Sequence, residues 1–410
     1  MKKQFNPEKL GTRATLLLCS VDSTALGAVI TPILAVIALA FPGENVNLLV
    51  ALPPLFIIPT TIIVGRLAYY VSRKTLLTIG QILYIIGGVG AAWFTNFNYI
   101  LCMRIVLGIG CGIVYPIIPT LIAQFYGGHD RARMMGAGNA VGAIIAMGMS
   151  LVAGVLATIG WHLPFYVDLF FVVVLVMQLV FLPRVPPEKD IPQLQHNAET
   201  LTPEHKRINL KSWLCIILMF VTMTLGMVFL LKMAILVSDR NIGDSALAGV
   251  LNSTQIMCAF IFALSFPFVF KRLKRWTVLL PIIGALLSFA FIAIANNVPL
   301  VFIGCGIFGL YLGYLIPFCQ TTISGQTHPV RRTFALSLLS TALFAGQACS
   351  TPFVGLLEMI FGTNTTLLFA VMSIVMLVLL IIVAAYLFFS RKGDTTPPYA
   401  ERTEFDTVHE

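Results

Sequence analysis

Asp22 stands with Ser20, Ser23 and Thr24 in the stretch Ser20-Val21-Asp22-Ser23-Thr24-Ala25-Leu26-Gly27, inside an otherwise apolar run from Ala14 to Phe41. Placing a carboxylate in such surroundings costs at least about 2 to 3 kcal/mol, so an acid there reads as a working group, a proton or cation site. Desolvation favours the neutral form of a carboxyl, which is what a group exchanging protons near neutral pH requires. Two cations lie in similarly apolar runs, Arg104 and Lys232. Arg104 is the candidate partner of Asp22, and a pair that separates when a ligand arrives would couple proton to ligand. Alternatively Arg104, and with it Lys232, holds the carboxylate of an organic anion. Lys232 also has the option of snorkelling to lipid headgroups. Asp168 and Glu358, one to two turns from the outer ends of their segments, read as interfacial or helix-end groups.

Other chemistries find no support. ATP-driven pumping needs a phosphate-cradling loop, and the chain contains no Gly-Lys-Ser/Thr. The six histidines fall in loops or tails with no HExxH spacing, which excludes the usual membrane metalloenzyme pattern. The eight cysteines all fall in apolar spans as small packing residues, and no disulfide framework is implied. No enzyme activity, metal or cofactor is expected.

The elements that position these residues follow from composition. With 58% hydrophobic and 10% charged residues among 410, and a mean hydropathy of +0.93, the chain lacks the polar surface to coat a soluble domain. A span needs about 20 apolar residues. Twelve such runs occur, at 14–38, 47–70, 75–95, 98–125, 134–159, 163–182, 212–237, 246–270, 277–296, 298–322, 334–360 and 365–390. With the N-terminus placed in the cytoplasm, 23 of the 26 basic residues fall on inner segments, and only Arg240 on an outer loop. That lopsidedness is the positive-inside pattern, with both termini cytoplasmic, and it accounts for the net charge of +9 without a nucleic-acid partner. The first run is long and lacks a small-residue cleavage site, so it reads as a span rather than a removed signal. Short loops and compact tails point to a bacterial inner membrane.

The chain repeats itself. The polar stretch 183–211, rich in proline and charge, separates a first six-helix bundle (1–182) from a second (212–390), with a cytoplasmic tail over 391–410. A shift of 201 lays Gly108, Gly112, Pro116 and Thr120 onto Gly309, Gly313, Pro317 and Thr321, and Arg131 onto Arg332. Small residues four apart share a helix face and let helices approach in lipid, so Gly108/Gly112, Gly138/Gly142 and Gly309/Gly313 read as packing contacts. Gly304-Cys305-Gly306-Ile307-Phe308-Gly309 spells GxGxxG but sits in a membrane helix without a βαβ context, so it is no dinucleotide site.

Gly65-Arg66-Leu67-Ala68-Tyr69-Tyr70-Val71-Ser72-Arg73-Lys74 resembles the loop signature of the major facilitator superfamily. Gly65, Leu67, Ala68, Arg73 and Lys74 match, whereas Tyr69 replaces the usual aspartate and Ser72 a glycine. Leu101 to Gly110, with Arg104 four residues before Gly108, is similar to that family's fourth-helix pattern, and Gly160 to Tyr166 is similar to its G-W-R-x-x-F stretch with His162 in place of arginine. The glycine-rich run Gly138 to Met149 lacks the Gly-Pro pair usual in its drug:proton antiporters.

The resemblance implies an all-α membrane protein of two pseudo-symmetric six-helix bundles. Its first, fourth, seventh and tenth helices would line a cavity near midplane, and the gating loop would carry Gly65, Arg73 and Lys74. It implies proton coupling by Asp22 and Arg104, and substrate contacts from Asp22, Arg104, Lys232, Tyr311 and Tyr314. The leading expectation is proton-coupled export of small amphipathic organic compounds by a monomer whose partners are a small-molecule substrate, protons and the bilayer. The alternative is a symporter or exchanger of a small organic anion.

Overall fold

The computed structural model describes residues 10 to 389 except 31, 32, 45, 47, 184–186, 188–207, 241–244 and 363. Most of the expected linker and the whole of the expected tail therefore lie outside the described residues. The first half contains α1 (Leu10–Cys19), α2 (Asp22–Ala28), α3 (Leu34–Ala40), α4 (Leu48–Leu67), α5 (Arg73–Gly90), α6 (Phe97–Phe125), α7 (Gly128–Ala157) and α8 (Phe170–Phe181). The second contains α9 (Leu210–Asp239), α10 (Ser245–Leu273), α11 (Leu279–Ile294), α12 (Val298–Gln326), α13 (Pro329–Phe361) and α14 (Thr365–Phe389). Short 3₁₀ turns over Leu163–Leu169 and Lys274–Val278 lead into α8 and α11. With α1 to α3 counted as one span, these are twelve spans in two groups of six; among the described residues, nine helical stretches are long and apolar enough to cross a membrane by themselves. Ile374, Val378, Ile381 and Ile382 on α14, and Val173, Val176 and Val180 on α8, are exposed apolar side chains that need lipid around them.

The internal repeat has a structural counterpart. Asn96 caps α6 by accepting from the amides of Asn98 (2.9 Å) and Tyr99 (3.4 Å), and Asn297, 201 residues on, caps α12 by accepting from Leu300 (3.1 Å). A Cβ at Gly108 or Gly112 would lie 2.8 Å from atoms of Pro53 or Thr60 on α4. One at Gly309 or Gly313 would meet Cys258 to Ala263 on α10 at equally short range. These glycines are thus sites of close helix approach, as in other lipid-embedded interfaces. Gly110 is tighter still against α5, where a methyl would sit 2.8 Å from the Gly80 carbonyl oxygen and 2.9 Å from Tyr84 Cα. Gly110→Ala is expected to destabilise the protein by about 1 to 3 kcal/mol, read as a lowered Tm in detergent. Gly148→Ala, inside the same class of helix but with nothing within 4 Å of the new methyl, is expected not to lower Tm, since alanine is the better helix former.

The two halves meet through α4 against α13 and α7 against α10. Their contacts crowd toward the end that carries the basic loops. Thr61 and Thr341 hydroxyls lie 2.7 Å apart, Tyr115 stacks edge-on to Phe344 (5.2 Å), and Gly136 presses on the Ala263 carbonyl. On an ideal helix Gly154 shares the face of Gly136, five turns and about 27 Å further along, yet it has no neighbour within 4 Å. The described contacts between the halves thus hold the basic-loop end closed.

One expected element differs. The single helix expected over 14–38 is broken into α1, α2 and α3. Ser20 Oγ donates to the Leu16 carbonyl (3.0 Å) and Thr24 Oγ1 to that of Val21 (2.9 Å). The amides of Ser20 and Val21 turn back three residues, to Leu17 (3.2 Å) and Leu18 (3.1 Å), in place of four. Hydroxyls that compete for backbone carbonyls account for the interruption after Cys19.

Candidate functional site

The break sets Asp22 at the edge of a small cavity between the halves. Cys19, Ser20 and Asp22 line it from the first span, Val114, Tyr115, Ile118, Pro119 and Ile122 from α6, Met135 and Asn139 from α7, and Gln320 from α12 of the other half. Asp22 is its one carboxylate, and none of these residues is basic. α7 can come this close to the broken segment because Gly138 and Gly142 face it; a Cβ there would lie 2.7 Å from Ser20 Oγ or 2.9 Å from Thr24 Oγ1. Asn139 Nδ2 donates to the Met135 carbonyl (2.8 Å) and reaches Gln320 Oε1 (3.4 Å) across the seam. The cavity thus offers one acid, two amides, a tyrosine ring and aliphatic walls.

Asp22 itself is buried. Gln81 Nε2 on α5 donates to its Oδ1 (2.8 Å), Tyr84 OH donates to its backbone carbonyl (3.3 Å), and Oδ2 has no hydrogen-bond partner. The side chain of Ser23 lies outside the described ones.

Arg104 does not form the expected pair with Asp22. Its guanidinium lies over the Phe165 ring (5.2 Å), with Nε and Nη2 lacking hydrogen-bond partners, and the acid whose charge acts on it is Asp168, from the 3₁₀ turn before α8. Both are buried inside the first bundle, and neither lines the cavity. Asp168 is accordingly no interfacial group: a Cβ at Gly88 on α5 would lie 2.8 Å from its Cβ and Cγ. Only the tertiary fold brings this acid, sixty-odd residues downstream of Arg104 in sequence, to the same spot.

Lys232, Tyr311 and Tyr314 serve the second bundle. Lys232 on α9 is ion-paired with Glu358 on α13. Tyr311 OH donates to the Thr222 carbonyl (2.6 Å) against Gly226, and Tyr314 shares a hydrogen bond with Ser265 (2.7 Å). None of the three lines the cavity; Tyr115, Asn139 and Gln320 do. Removing one partner of a pair out of water leaves the other charge uncompensated, so Lys232→Gln and Glu358→Gln are each expected to lower Tm in detergent, and the double variant to recover most of the loss. Double-variant loss equal to the sum of the singles would mean the pair carries no coupling.

The loop residues close the basic-loop end. Gly65 presses on Ser337, where a Cβ would lie 2.8 Å from the Ser337 side chain. Arg73 donates to Gln124 Oε1 (2.5 Å) in its own half and to Thr333 Oγ1 (3.3 Å) in the other. Lys74 Nζ caps the end of α8 through the Leu179 (2.8 Å) and Leu182 (2.5 Å) carbonyls. Ser72, where a glycine is usual, accepts from the Thr75 amide (3.2 Å) and so caps α5. The repeat-related arginines Arg131 and Arg332 converge from opposite halves on one carbonyl, that of Ala123 (3.2 and 3.1 Å).

The sequence model described as Major Facilitator Superfamily matches residues 15–287 and 214–409. Multidrug resistance protein 3 of Bacillus subtilis (strain 168) is 31% identical over 107 residues, 26% of this chain and 21% of that protein. Quinolone resistance protein NorA of Staphylococcus aureus (strain Mu50 / ATCC 700699) is 29% identical over 131 residues, 31% of this chain and 33% of that protein. The chain thus spans about a fifth to a third of the length of these curated relatives. Among solved structures, the human organic anion transporter MFSD10 (TETRAN) superposes with a TM-score of 0.75 at 13% identity, over 92% of this chain and 100% of that one. The proton:xylose symporter XylE gives 0.67 at 15% identity, over 97% and 99%. At such identities these two speak for the fold alone.

Proposed function

The chain belongs to the major facilitator superfamily, and from that premise we propose that it exports small amphipathic, neutral or cationic organic compounds in exchange for protons. It is a multi-pass membrane transporter; export, proton coupling and substrate class are our reading. The observation that carries the reading is the cavity at the seam, whose single charged lining residue is Asp22 with one oxygen unpartnered, amid aliphatic and aromatic walls. A lipophilic cation would bring its charge to that carboxylate and its apolar surface to Ile118, Ile122 and Met135. Protonation of Asp22 would compete with it. The multidrug and quinolone resistance proteins among the relatives support the same substrate class.

In this reading the basic-loop end faces the cytoplasm, the bundles are 1–182 and 212–390, and the two halves rock about the cavity. The contacts of Gly65, Arg73 and Arg332 hold the cytoplasmic side shut while the outer side is open. The alternative, a carrier of small organic carboxylates held by Arg104 and Lys232, has less in its favour, because neither cation lines the cavity and Lys232 already has Glu358.

The test is proton release from the purified protein in weakly buffered detergent. Tetraphenylphosphonium and related lipophilic cations are expected to release protons in a saturable way, and benzoate-like carboxylates to release none. Proton uptake with carboxylates and silence with cations would overturn the reading in favour of anion transport.

A further inference from the structure

The hydrogen bond between Gln81 and Asp22 uses half of what the two side chains offer each other. Gln81 and Tyr84, three residues apart, share one face of α5. Gln81 Nε2 donates to Asp22 Oδ1 (2.8 Å) and Tyr84 OH to the Asp22 carbonyl (3.3 Å), so α5 holds the residue by side chain and by backbone. α5 is itself seated against α6, where a Cβ at Gly80 would lie 2.9 Å from the side chains of Ile113 and Val114. Both Gln81 and Asp22 are buried, and Asp22 Oδ2 and Gln81 Oε1 are each without a hydrogen-bond partner.

These two unpartnered atoms belong to groups already bonded to each other, and both are acceptors. An ionised carboxylate can only accept, whereas a primary amide brings donor hydrogens on its nitrogen and an acceptor oxygen. The ionised pair therefore makes one bond and leaves two oxygens without a donor, in surroundings where an unmade hydrogen bond is costly. One proton removes both deficits. On Oδ2 it becomes a donor for Gln81 Oε1, and carboxyl and carboxamide then close a ring of two hydrogen bonds, Nε2 to Oδ1 and Oδ2 to Oε1. The surrounding titratable groups do not supply that hydrogen. Cys19, on the same span, directs its thiol to Gln178 Oε1 (3.9 Å), and Tyr84 spends its hydroxyl on the backbone. Cys111 and Arg104 on α6 and Asp168 ahead of α8 make no hydrogen bond to Asp22, Arg104 lying over Phe165. α7 meets this segment with Gly138 and Gly142, which have no side chain.

We propose that Gln81 is the positioning residue for the exchangeable proton: its carboxamide forms a two-bond ring with the protonated carboxyl of Asp22 and so selects that form over the ionised one. Loss of the proton sets two oxygen acceptors against each other and frees the carboxyl to turn from α5 toward a cation in the cavity. This rests on the reading of Asp22 as the proton site and deepens it. Proton and substrate compete because the carboxyl has two seats, one against Gln81 and one facing the cavity.

An ordinary donor would give the opposite sign. A glutamine that only donates to the carboxylate favours the ionised form, so its removal would move protonation of Asp22 to higher pH, whereas loss of the ring moves it lower. The measurement is an infrared pH titration of the purified protein, following the carboxyl band that Asp22→Asn removes. Gln81→Met, which keeps the length of the side chain, is expected to shift the midpoint down by about one pH unit, or tenfold in proton affinity. A midpoint that stays or moves up overturns the proposal, as does absence of the band from wild type. Wild type supplies a second readout if Gln81→Met folds poorly. With an isotopic label on the glutamine side-chain carbonyls, one labelled band should shift in step with the carboxyl, and Asp22→Asn should abolish that response; labelled bands indifferent to the titration overturn the proposal. Tetraphenylphosphonium separates this assignment from the export reading. Proton release on adding it, together with an upward midpoint in Gln81→Met, keeps export and sinks the ring; a downward midpoint with no release by any cation does the reverse.

Discussion

Asp22→Asn is expected to leave the protein folded and inserted, and to abolish both proton release on binding a lipophilic cation and proton-driven transport. The amide keeps the size of the side chain and a donor–acceptor pair for Gln81, whose Nε2 now meets Oδ1 at 2.8 Å. What disappears is the one charge in the cavity. Losing one partner of a desolvated charge pair costs about 2 kcal/mol or more, so the Kd for tetraphenylphosphonium should rise roughly thirtyfold. A neutral amphipathic ligand, bound by the apolar walls, should bind within about threefold of wild type. Unchanged proton release in the variant would remove Asp22 from the mechanism.

The second large effect concerns the seam. Thr61 on α4 and Thr341 on α13 belong to different halves, and their hydroxyl oxygens are 2.7 Å apart. Cysteines at both positions would face each other as the hydroxyls do, so a small adjustment of α4 and α13 brings them to the Cβ separation of about 3.5 to 4.5 Å that a disulfide needs. The two exposed native cysteines, Cys102 and Cys349, are removed first. Oxidation should then cross-link the halves at the basic-loop end, and transport in proteoliposomes should fall to background and return on reduction. A carrier that must open at that end cannot turn over with it sewn shut. Efficient cross-linking with undiminished turnover would show that the seam never opens in the cycle.

The sequence made the scaffold readable and left the site half hidden. Twelve spans follow from apolar run lengths, because lipid forces every backbone group into helix and so ties hydropathy to structure. The packing role of Gly108, Gly112, Gly309 and Gly313 follows from their spacing, a local property of one helix face. Asp22 stood out for an equally local reason, a carboxylate in an apolar run. What was not legible is which side chains meet across helices. The reach of Arg104 toward Asp22 was argued from depth alone, and depth says nothing of azimuth; the helix turns Arg104 over the Phe165 ring instead. The same missing angle put Tyr311 and Tyr314 forward as cavity residues, whereas Tyr115, Asn139 and Gln320 have that position. The break in the first span had a trace in Ser20 and Thr24, but hydroxyl competition for carbonyls is weak evidence until the neighbouring helix is known.

That broken span also bears on how the chain enters the bilayer. Its pieces of ten, seven and seven residues each fall short of the roughly 20 a lipid-crossing helix needs, and the middle one begins with an acid. Lipid alone is a poor host for such a segment. Tyr84 and Gln81 on α5 supply hydrogen bonds at Asp22, and the small face of α7 supplies the fit. The first span is therefore synthesised before the helices that make it stable in the membrane. Its secure insertion waits on the third and fifth spans, which makes biogenesis of the first bundle a cooperative event rather than a stepwise threading of helices.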